Sequence, residues 1–209
     1  MEGPVEIDLR AREAESSPEV IPGIILAAGA SSRMGRPKAL LSWNGETFLA
    51  RLQRILGSVC QPVVTVLGYH YDSVRPEVQG EVAVNCDPSR GQLSSLQTGL
   101  RAISYEKGFA FVPVDCPAVS AETVATLAEL FAHGEADLVI PRYNGERGHP
   151  VFASRTVAQQ LLLLPPTGSA KDVIRSLRDK TTFVDLADPG VLSDIDDPAA
   201  YAALTGRAL

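Results

Sequence analysis

Residues 21–38 read IPGIILAAGASSRMGRPK, an apolar run that passes directly into a loop of small and positively charged residues. The run Ile21 to Leu26 is short and unbroken, which is typical of a strand buried on both faces of a parallel sheet. Six further apolar runs follow, separated by polar loops and helical patterns. Because strands that alternate with helices form βα units, the sequence predicts a three-layer α/β/α domain with a mostly parallel sheet.

The predicted elements are short and spread over most of the chain. The predicted strands are Ile21 to Leu26, Pro62 to Leu67, Glu81 to Asn85, Phe109 to Val114, Asp137 to Ile140, Pro150 to Phe152 and Thr181 to Val184. The predicted helices are Phe48 to Leu56, Ser94 to Ile103, Ala121 to His133, Thr156 to Leu164, Lys171 to Leu177 and Pro198 to Leu204. Ser120, Ser154 and Ser169 precede three of these helices, where a side-chain oxygen can cap the first turn.

The length of 209 residues fits one domain with an N-terminal tail. Residues 1–19 are rich in charged side chains and poor in large apolar ones. We therefore expect a flexible tail followed by a single domain over residues 20–209. Hydrophobic residues make up 45% of the chain, charged residues make up 21%, and the mean hydropathy is +0.06, which excludes a fully disordered protein.

Charge and cysteine content exclude several classes of protein. The net charge of -6 argues against a general nucleic-acid binder, which needs an excess of lysine and arginine. The longest apolar runs have about five residues, whereas a membrane-spanning helix needs roughly 20, and no signal-peptide core is apparent. The three cysteines form no Cys-x-x-Cys pair. We expect a cytoplasmic protein with no membrane partner, no disulfide framework and no zinc site.

The loop after the first strand is predicted to bind an anion. Ligands of parallel sheets sit at the carboxyl ends of strands, and small residues let backbone N–H groups approach an anion closely. Arg33 and Lys38 could neutralise a polyphosphate. The spacing excludes a P-loop, because Lys38 lies three residues after Gly35 and is followed by Ala39, and no Gly-x-Gly-x-x-Gly occurs here. The loop is therefore a phosphate site of another type.

The motif Leu26-Ala-Ala-Gly-x-Ser-x-Arg-Met-Gly-x-x-Lys38 resembles the signature of nucleotidyltransferases related to the molybdenum-cofactor enzymes. That family includes the molybdopterin cytidylyltransferases and guanylyltransferases, and the resemblance covers most of residues 21–204. It implies the nucleotide-diphospho-sugar transferase (Rossmann-like) fold. It also implies Mg²⁺-dependent transfer of a nucleoside monophosphate from an NTP to a phosphate-bearing acceptor, with pyrophosphate released.

The resemblance points to molybdopterin as the leading acceptor and to a molybdoenzyme or its maturation factor as a further partner. Two alternatives stay open. One is a nucleotidyltransferase whose acceptor is a sugar phosphate or polyol phosphate. The other is a nucleotide-binding maturation protein that keeps the fold without turnover.

The resemblance further assigns roles to individual residues. It implies that the nucleotide is bound by Leu26, Ala27, Ala28, Gly29, Ser31, Arg33, Lys38, Asp87, Ser94 and Ser95. Lys38 and Arg33 are also implied to be catalytic, because they would stabilise the transition state and the leaving pyrophosphate. The ordinary alternatives are a turn role for Asp87 and a plain helix cap for Ser94 and Ser95.

Two acidic segments resemble the metal site of the family. A predicted strand ends in Asp115-Cys-Pro, where the family has an Asp-x-Pro whose aspartate binds Mg²⁺. Residues 193–198, Ser-Asp-Ile-Asp-Asp-Pro, resemble a late Asp-Ile-Asp-Thr-Pro segment of the cytidylyltransferase branch. The resemblance therefore assigns Asp115, also as a catalytic residue, and Asp196 as Mg²⁺ ligands, with Asp194 as the alternative to Asp196. Carboxylate oxygens suit such a hard cation.

The segment Gly148-His149-Pro150 matches the acceptor side of the cytidylyltransferase branch. His149 is therefore implied to bind the acceptor phosphate or pterin, with a purely structural histidine as the alternative. The branch continues with an arginine-containing loop, but residues 167–172 here read TGSAKD, and Lys171 is the nearest cation. This departure weakens molybdopterin as the acceptor more than it weakens nucleotidyl transfer. Tyr69 and His70, after the second predicted strand, are candidates for the base site.

The same loop motif predicts the donor nucleotide. Guanylyl-transferring relatives usually read Leu-Ala-Gly-Gly and cytidylyl-transferring relatives read Leu-Ala-Ala-Gly, whereas this chain has Ala28 at the third position. The guanylyl branch has aspartate before the motif lysine, but Pro37 precedes Lys38 here. The resemblance therefore favours CTP over GTP. A steric reason is available, since a methyl group beside the base would crowd a purine more than a pyrimidine.

Overall fold

Ten strands and seven α-helices alternate along the part of the chain that the structure describes. This structure is a computed structural model, and it describes residues 20–165, 167–207 and 209. The predicted tail, residues 1–19, lies outside the described residues. The strands are β1 (Ile21–Ala27), β2 (Ser42–Trp43), β3 (Glu46–Thr47), β4 (Cys60–Leu67), β5 (Glu81–Val84), β6 (Phe109–Pro113), β7 (Leu138–Tyr143), β8 (Glu146–Arg147), β9 (Val151–Ala153) and β10 (Thr181–Asp185). The helices are α1 (Phe48–Leu56), α2 (Tyr71–Val74), α3 (Gln92–Arg101), α4 (Ala121–His133), α5 (Arg155–Leu163), α6 (Ala170–Ser176) and α7 (Pro198–Thr205).

The main sheet is mostly parallel, as predicted. Its strand order is β10-β7-β9-β6-β1-β4-β5, and the short β8 pairs with β7. The strand β9 runs antiparallel to both of its neighbours, whereas β1, β4, β5 and β6 are mutually parallel. Leu26 lies beside Pro113, and the N–H of Val114 donates to the carbonyl of Leu26 at 3.0 Å. The chain after β6 therefore passes next to the loop that follows β1.

The central strand β1 is buried on both faces, which explains its unbroken apolar sequence. Ile25 and Ala27 belong to a core cluster that includes side chains of α1 and α4. Ile24 and Leu26 face the opposite way, into a second cluster with side chains of α3 and α5. Since apolar side chains on both faces of the sheet pack against helices, the domain has the predicted three layers.

The three predicted serine caps are confirmed by hydrogen-bond geometry, and two of the helices begin one residue earlier than predicted, at Arg155 and Ala170. The Oγ of Ser120 accepts from the N–H of Thr123 at 3.0 Å. The Oγ of Ser154 and that of Ser169 accept in the same way at the starts of α5 and α6. Each cap satisfies a backbone donor that the helix itself leaves unpaired.

The predicted start of α3 at Ser94 is wrong by two residues. The helix begins at Gln92, directly after Gly91, whose φ of 85° lies in the left-handed region that favours glycine. The Oγ of Ser94 donates back to the carbonyl of Gly91 at 2.8 Å from inside the first turn. A glycine turn therefore begins this helix where a serine cap was predicted.

Helix α3 approaches the sheet closely at Gly99. A Cβ built on Gly99 would lie 2.7 Å from Cγ2 of Ile24 and 3.0 Å from Cγ2 of Val66. We expect Gly99→Ala to lower the free energy of unfolding by about 1–3 kcal/mol, because the added methyl overpacks this contact. Urea denaturation measures the loss. Gly29→Ala is the matched control, since a Cβ there meets no atom within 4 Å, and equal stability of the two variants would contradict the packing argument.

The helices are short compared with a bilayer. The longest helix in the described ranges, α4, has 13 residues. None of the described helices has the length and apolar character needed to cross a membrane.

Candidate active site

A cleft of about 420 Å³ opens at the carboxyl ends of β1, β4 and β6. The loop after β1 forms one wall, and residues from the β4–α2 loop, the start of α3, the end of β6 and the segment before α7 form the rest. Segments far apart in sequence thus converge at the sheet edge where α/β folds bind ligands. The predicted site residues that line this cleft are Leu26, Ala27, Ala28, Gly29, Ser31, Arg33, Lys38, Ser95, Asp115 and Asp196.

Ser31 organises the loop after β1. It adopts a φ of 50°, in the left-handed region. Its carbonyl accepts from the N–H groups of Met34 at 3.0 Å and Gly35 at 3.2 Å, and its Oγ accepts from the backbone N–H of Lys38 at 3.1 Å. Met34 is only 2% exposed and fixes the loop to the core. The loop is therefore held in shape by its own hydrogen bonds.

Gly29 borders the cleft without a protein neighbour. A Cβ built on it meets no atom within 4 Å, and its φ lies outside the left-handed region. Neither backbone conformation nor packing therefore requires glycine at this position. The space that a side chain would fill belongs to the cleft.

Two cations and two carboxylates form an ion-pair cluster at the base of the cleft. The Nζ of Lys38 lies 2.8 Å from Oδ2 of Asp115 and also pairs with Asp196. Arg33, which is largely exposed, pairs with the second oxygen of Asp196. Burial alone would lower the pKa of Lys38, but its hydrogen bonds to both carboxylates outweigh burial and raise that pKa. The Lys38 ammonium therefore stays charged at neutral pH.

A third carboxylate completes the acidic part of the cluster. One oxygen each of Asp115, Asp194 and Asp196 lies within 4.8 Å of the others. Partial burial, together with the negative charges of Asp115 and Asp196, raises the pKa of Asp194. The hydrogen bond from Lys38 lowers the pKa of Asp196. Three such oxygens are a donor set that suits Mg²⁺ or Mn²⁺, so the residues fit the metal that the family implies.

The two serines of α3 are bound by a residue that the sequence analysis missed. The side-chain amide of Asn85 donates to Oγ of Ser94 at 2.8 Å and to Oγ of Ser95 at 3.0 Å. Only Ser95 of the two lines the cleft. Asp87 is not in the lining either, and its carboxylate accepts from the hydroxyl of Ser89, which does line it. The structure therefore brings Ser95 to the cleft but not Ser94 or Asp87.

Tyr69 and His70 contact the loop after β1 from the β4 side. The Nε2 of His70 lies 2.8 Å from the carbonyl oxygen of Ala30, and the backbone N–H of Tyr69 donates to the carbonyl of Ala28 at 3.3 Å. Both residues line the cleft. Both contacts are made to backbone carbonyls of the loop, which the sequence pattern alone did not indicate.

A second cavity, of about 310 Å³, lies beside the first, and Gln92 lines both. Apolar side chains form most of its walls. Three cations, Arg147, Lys171 and Arg175, also line it. The cavity therefore combines an apolar interior with positive charge.

His149 lies in the wall of this second cavity. Burial lowers the pKa of His149 to about 4, so the imidazole is neutral at physiological pH. Its ring packs edge-on against Phe111 with the centroids 5.6 Å apart, and its backbone N–H donates to the carbonyl of Val191 at 2.9 Å. Among the described residues, its buried Nδ1 has no hydrogen-bond partner. His149, which was predicted to bind the acceptor substrate, is thus uncharged and lies between the wall of the second cavity and the core.

Curated relatives match somewhat less than two thirds of the chain. A protein of Bacillus cereus (strain AH187) described as a "probable molybdenum cofactor guanylyltransferase" is 37% identical over 136 residues. The match covers 63% of this chain and 66% of that relative. The alignment thus spans slightly less than two thirds of the relative's length.

Solved structures confirm the fold predicted from the loop motif. Rv0371c from Mycobacterium tuberculosis H37Rv superposes with a TM-score of 0.77 at 27% identity, covering 90% of this chain and 98% of that one. The 4-diphosphocytidyl-2C-methyl-D-erythritol synthase from Anaerococcus prevotii DSM 20548 superposes with a TM-score of 0.68 at 11% identity, covering 89% and 95%. The architecture is therefore that of the nucleotide-diphospho-sugar transferases.

A family model also matches most of the sequence. The model of the MobA-like NTP transferase domain matches residues 23–181, which include the loop after β1, the strand that ends before Asp115 and the segment around His149. The chain therefore belongs to the family of MobA-like NTP transferase domains.

Proposed function

We propose that this protein is a nucleotidyltransferase that moves a nucleoside monophosphate from an NTP to a phosphate-bearing acceptor and releases pyrophosphate. One observation carries the proposal. The loop of residues 26–38 lines one cleft together with the carboxylates of Asp115 and Asp196. Lys38 pairs with both carboxylates there, and Arg33 pairs with Asp196. Cations for a triphosphate and oxygen ligands for a divalent metal thus lie at one place. Both are needed to bring two anionic phosphates together.

The reaction needs no covalent enzyme intermediate. An oxygen of the acceptor phosphate forms a bond to the α-phosphorus, and the bond from that phosphorus to the oxygen bridging to the β-phosphate breaks. A phosphate monoester has a second pKa of about 6, so the nucleophile is already ionised near neutral pH. The protein therefore contributes positioning and electrostatic stabilisation, and no general base.

The loop after β1 would hold the triphosphate. The space beside Gly29 lets phosphate oxygens approach the backbone, and the hydrogen bonds of Ser31 keep the loop in place before the nucleotide arrives. Lys38 and Arg33 would neutralise the charge that passes to the leaving pyrophosphate. Asp115 and Asp196 would hold Mg²⁺, which, when bound, supplies positive charge to the α- and β-phosphate oxygens.

The second cavity supports a pterin phosphate as the acceptor. Its apolar walls suit a flat heterocycle, and Arg147, Lys171 and Arg175 suit a phosphate. A sugar phosphate would place several hydroxyl groups against apolar side chains, at a cost in desolvation. The Bacillus cereus relative is named for the molybdenum cofactor, which also favours an acceptor of this class. Two arginines and Lys171 supply positive charge although the family's loop arginine is missing from residues 167–172.

Two nucleotides, CTP and GTP, have support as the donor of the nucleoside monophosphate, and we propose CTP. Ala28 is 3% exposed and lies at the cleft wall, where a Cβ built on Gly68 would come within 2.9 Å of its methyl group. The methyl group of Ala28 thus packs against Gly68, the residue before Tyr69. GTP is the second candidate, because the curated relative is named for guanylyl transfer.

Ala28→Gly is expected to narrow the preference for CTP over GTP. A single methyl group supplies about 1–3 kcal/mol of discrimination, so the wild-type preference should be on the order of 10- to 200-fold. The measurement is kcat/KM for CTP and for GTP with molybdopterin as acceptor, in both proteins. Equal values in the wild type, or a preference for GTP, would overturn the choice of CTP.

Pyrophosphate release tests the activity itself. The wild-type protein should release pyrophosphate from one NTP of the four when Mg²⁺ and molybdopterin are both present, and release should stop when either is omitted. Sugar phosphates and polyol phosphates serve as competing acceptors. Absence of release with every NTP and acceptor would favour a nucleotide-binding protein without turnover.

A further inference from the structure

The positively charged side chains and the carboxylates of the cleft form ion pairs with each other. Lys38 and Arg33, which would meet the triphosphate, are paired with Asp115 and Asp196, which would meet the metal. The Lys38 side chain is 12% exposed and that of Asp115 is 24% exposed, so water screens their contact only in part. The Lys38 ammonium therefore occupies a position between two carboxylates that a divalent cation would otherwise fill.

Asp194 differs from its two neighbours in its electrostatic surroundings. Its carboxylate lies within 4.8 Å of Asp115 and Asp196 but forms no ion pair with an arginine or lysine in the described part of the chain. It is also the most exposed of the three carboxylate residues. Lys38 and Arg33 therefore leave this carboxylate accessible to a cation from solution.

We propose that Lys38 competes with the divalent metal for Asp115 and Asp196, and that Asp194 is a third metal ligand. The inference rests on the proposed function, since it concerns the same cleft. A metal ion meets Asp194 as its accessible ligand, and it gains Asp115 and Asp196 only when Lys38 and Arg33 turn to the phosphates of a nucleotide. Metal and nucleotide therefore assist each other's binding, and the metal alone binds weakly.

Competition between Lys38 and the metal predicts opposite effects of removing Lys38 on metal binding and on catalysis. Removing Lys38 should strengthen metal binding, although the same change weakens catalysis. Coupling between two ligands of one protein commonly changes affinity by roughly 5- to 150-fold. We therefore expect Lys38→Met to bind a divalent cation at least about fivefold more tightly than the wild type in the absence of nucleotide.

The experiment is a titration with Mn²⁺ alone, in which electron paramagnetic resonance reports the free ion. Lys180→Met is the matched control for lost positive charge, because Lys180 pairs with Asp137 at 3.4 Å at the opposite end of the sheet. It should bind Mn²⁺ as the wild type does. Lys38→Gln gives a second variant should the methionine disturb the fold, and circular dichroism with thermal melting checks both.

The same titration tests Asp194. Asp194→Asn should weaken Mn²⁺ binding at least about tenfold, in both the wild-type and the Lys38→Met background, as expected for loss of a charged ligand. Asp197→Asn is the matched control, because the side chain of Asp197 caps α7 by accepting from Ala200 at 2.9 Å, and asparagine caps equally well. It should change the affinity less than about twofold, since Asp197 lies outside the group of three carboxylates.

Two results would overturn the proposal. The first is Mn²⁺ affinity in folded Lys38→Met and Lys38→Gln that does not exceed that of Lys180→Met. The second is unchanged affinity in Asp194→Asn. The titration needs no turnover, so it is separable from the proposed function. If the protein releases pyrophosphate but the titration fails, the proposed function stands and the competition between Lys38 and the metal is overturned. If the titration succeeds but no pyrophosphate is released, the competition stands and the proposed function is overturned.

Discussion

Asp115→Asn is expected to reduce turnover by about 10³-fold or more, because removing one preorganised electrostatic group costs roughly 10²- to 10³-fold and Asp115 acts on both Lys38 and the proposed metal. Asparagine keeps the shape of the side chain but loses the charge. The backbone carbonyl of Asp115, which accepts from the N–H of Ile195 at 2.9 Å, is unaffected by the change. The variant should therefore fold normally.

The measurement is kcat for pyrophosphate release with saturating NTP, Mg²⁺ and acceptor, together with the melting temperature. Asp179→Asn is the control, because Asp179 is an exposed aspartate near the start of β10, at the edge of the sheet opposite the cleft. It should keep wild-type turnover. Full activity of Asp115→Asn, or of the wild type in excess chelator, would remove the metal assignment.

Lys38→Ala is expected to lower kcat by roughly 10²-fold, equivalent to about 3 kcal/mol of lost transition-state stabilisation. Its side chain is only 12% exposed, and its ammonium is charged at neutral pH and lies beside the carboxylates that would hold the metal. The loss should appear in kcat, while the KM for the acceptor stays near its wild-type value. Lys180→Ala serves as the control for a lost lysine. A rise confined to the acceptor KM would show that Lys38 does not contact the triphosphate.

The sequence predicted the sheet well because its central strands are buried on both faces. Ile24 and Ile25 face opposite core clusters, so neither can be polar, and the unbroken apolar run reports that burial directly. Helix starts were predictable where a serine caps the first turn, as at Ser120. The start of α3 was not, because Gly91 begins that helix by its backbone conformation and offers no side-chain cap.

Two short hairpins were missed although the sequence carries a signal for each. Asn44-Gly45 joins β2 to β3, and Asn144-Gly145 joins β7 to β8, with φ between 51° and 86° at all four residues. Asn-Gly is the preferred pair for such turns. Strands of two residues show no periodicity, however, so only the turn residues could have revealed them.

The contacts within the site were only partly predictable. The strand-end rule correctly brought Asp115 and the loop after β1 to one cleft. Lys38 pairs with Asp115 and Asp196, which lie 77 and 158 positions further along the chain. Only the folded chain shows that these side chains meet. Asn85 was missed for a related reason, because its amide binds Ser94 and Ser95 from the end of a neighbouring strand. No local pattern marks such a residue.

The most direct test of nucleotidyl transfer at this cleft is a crystal structure with Mg²⁺ and the α,β-methylene analogue of CTP, which cannot release pyrophosphate. We expect the triphosphate to lie along residues 29–38, with the Nζ of Lys38 moved from Asp115 to a phosphate oxygen. The metal should then contact Asp115. A triphosphate bound elsewhere, for example in the second cavity beside Arg147 and Arg175, with Lys38 still paired to Asp115, would contradict the account.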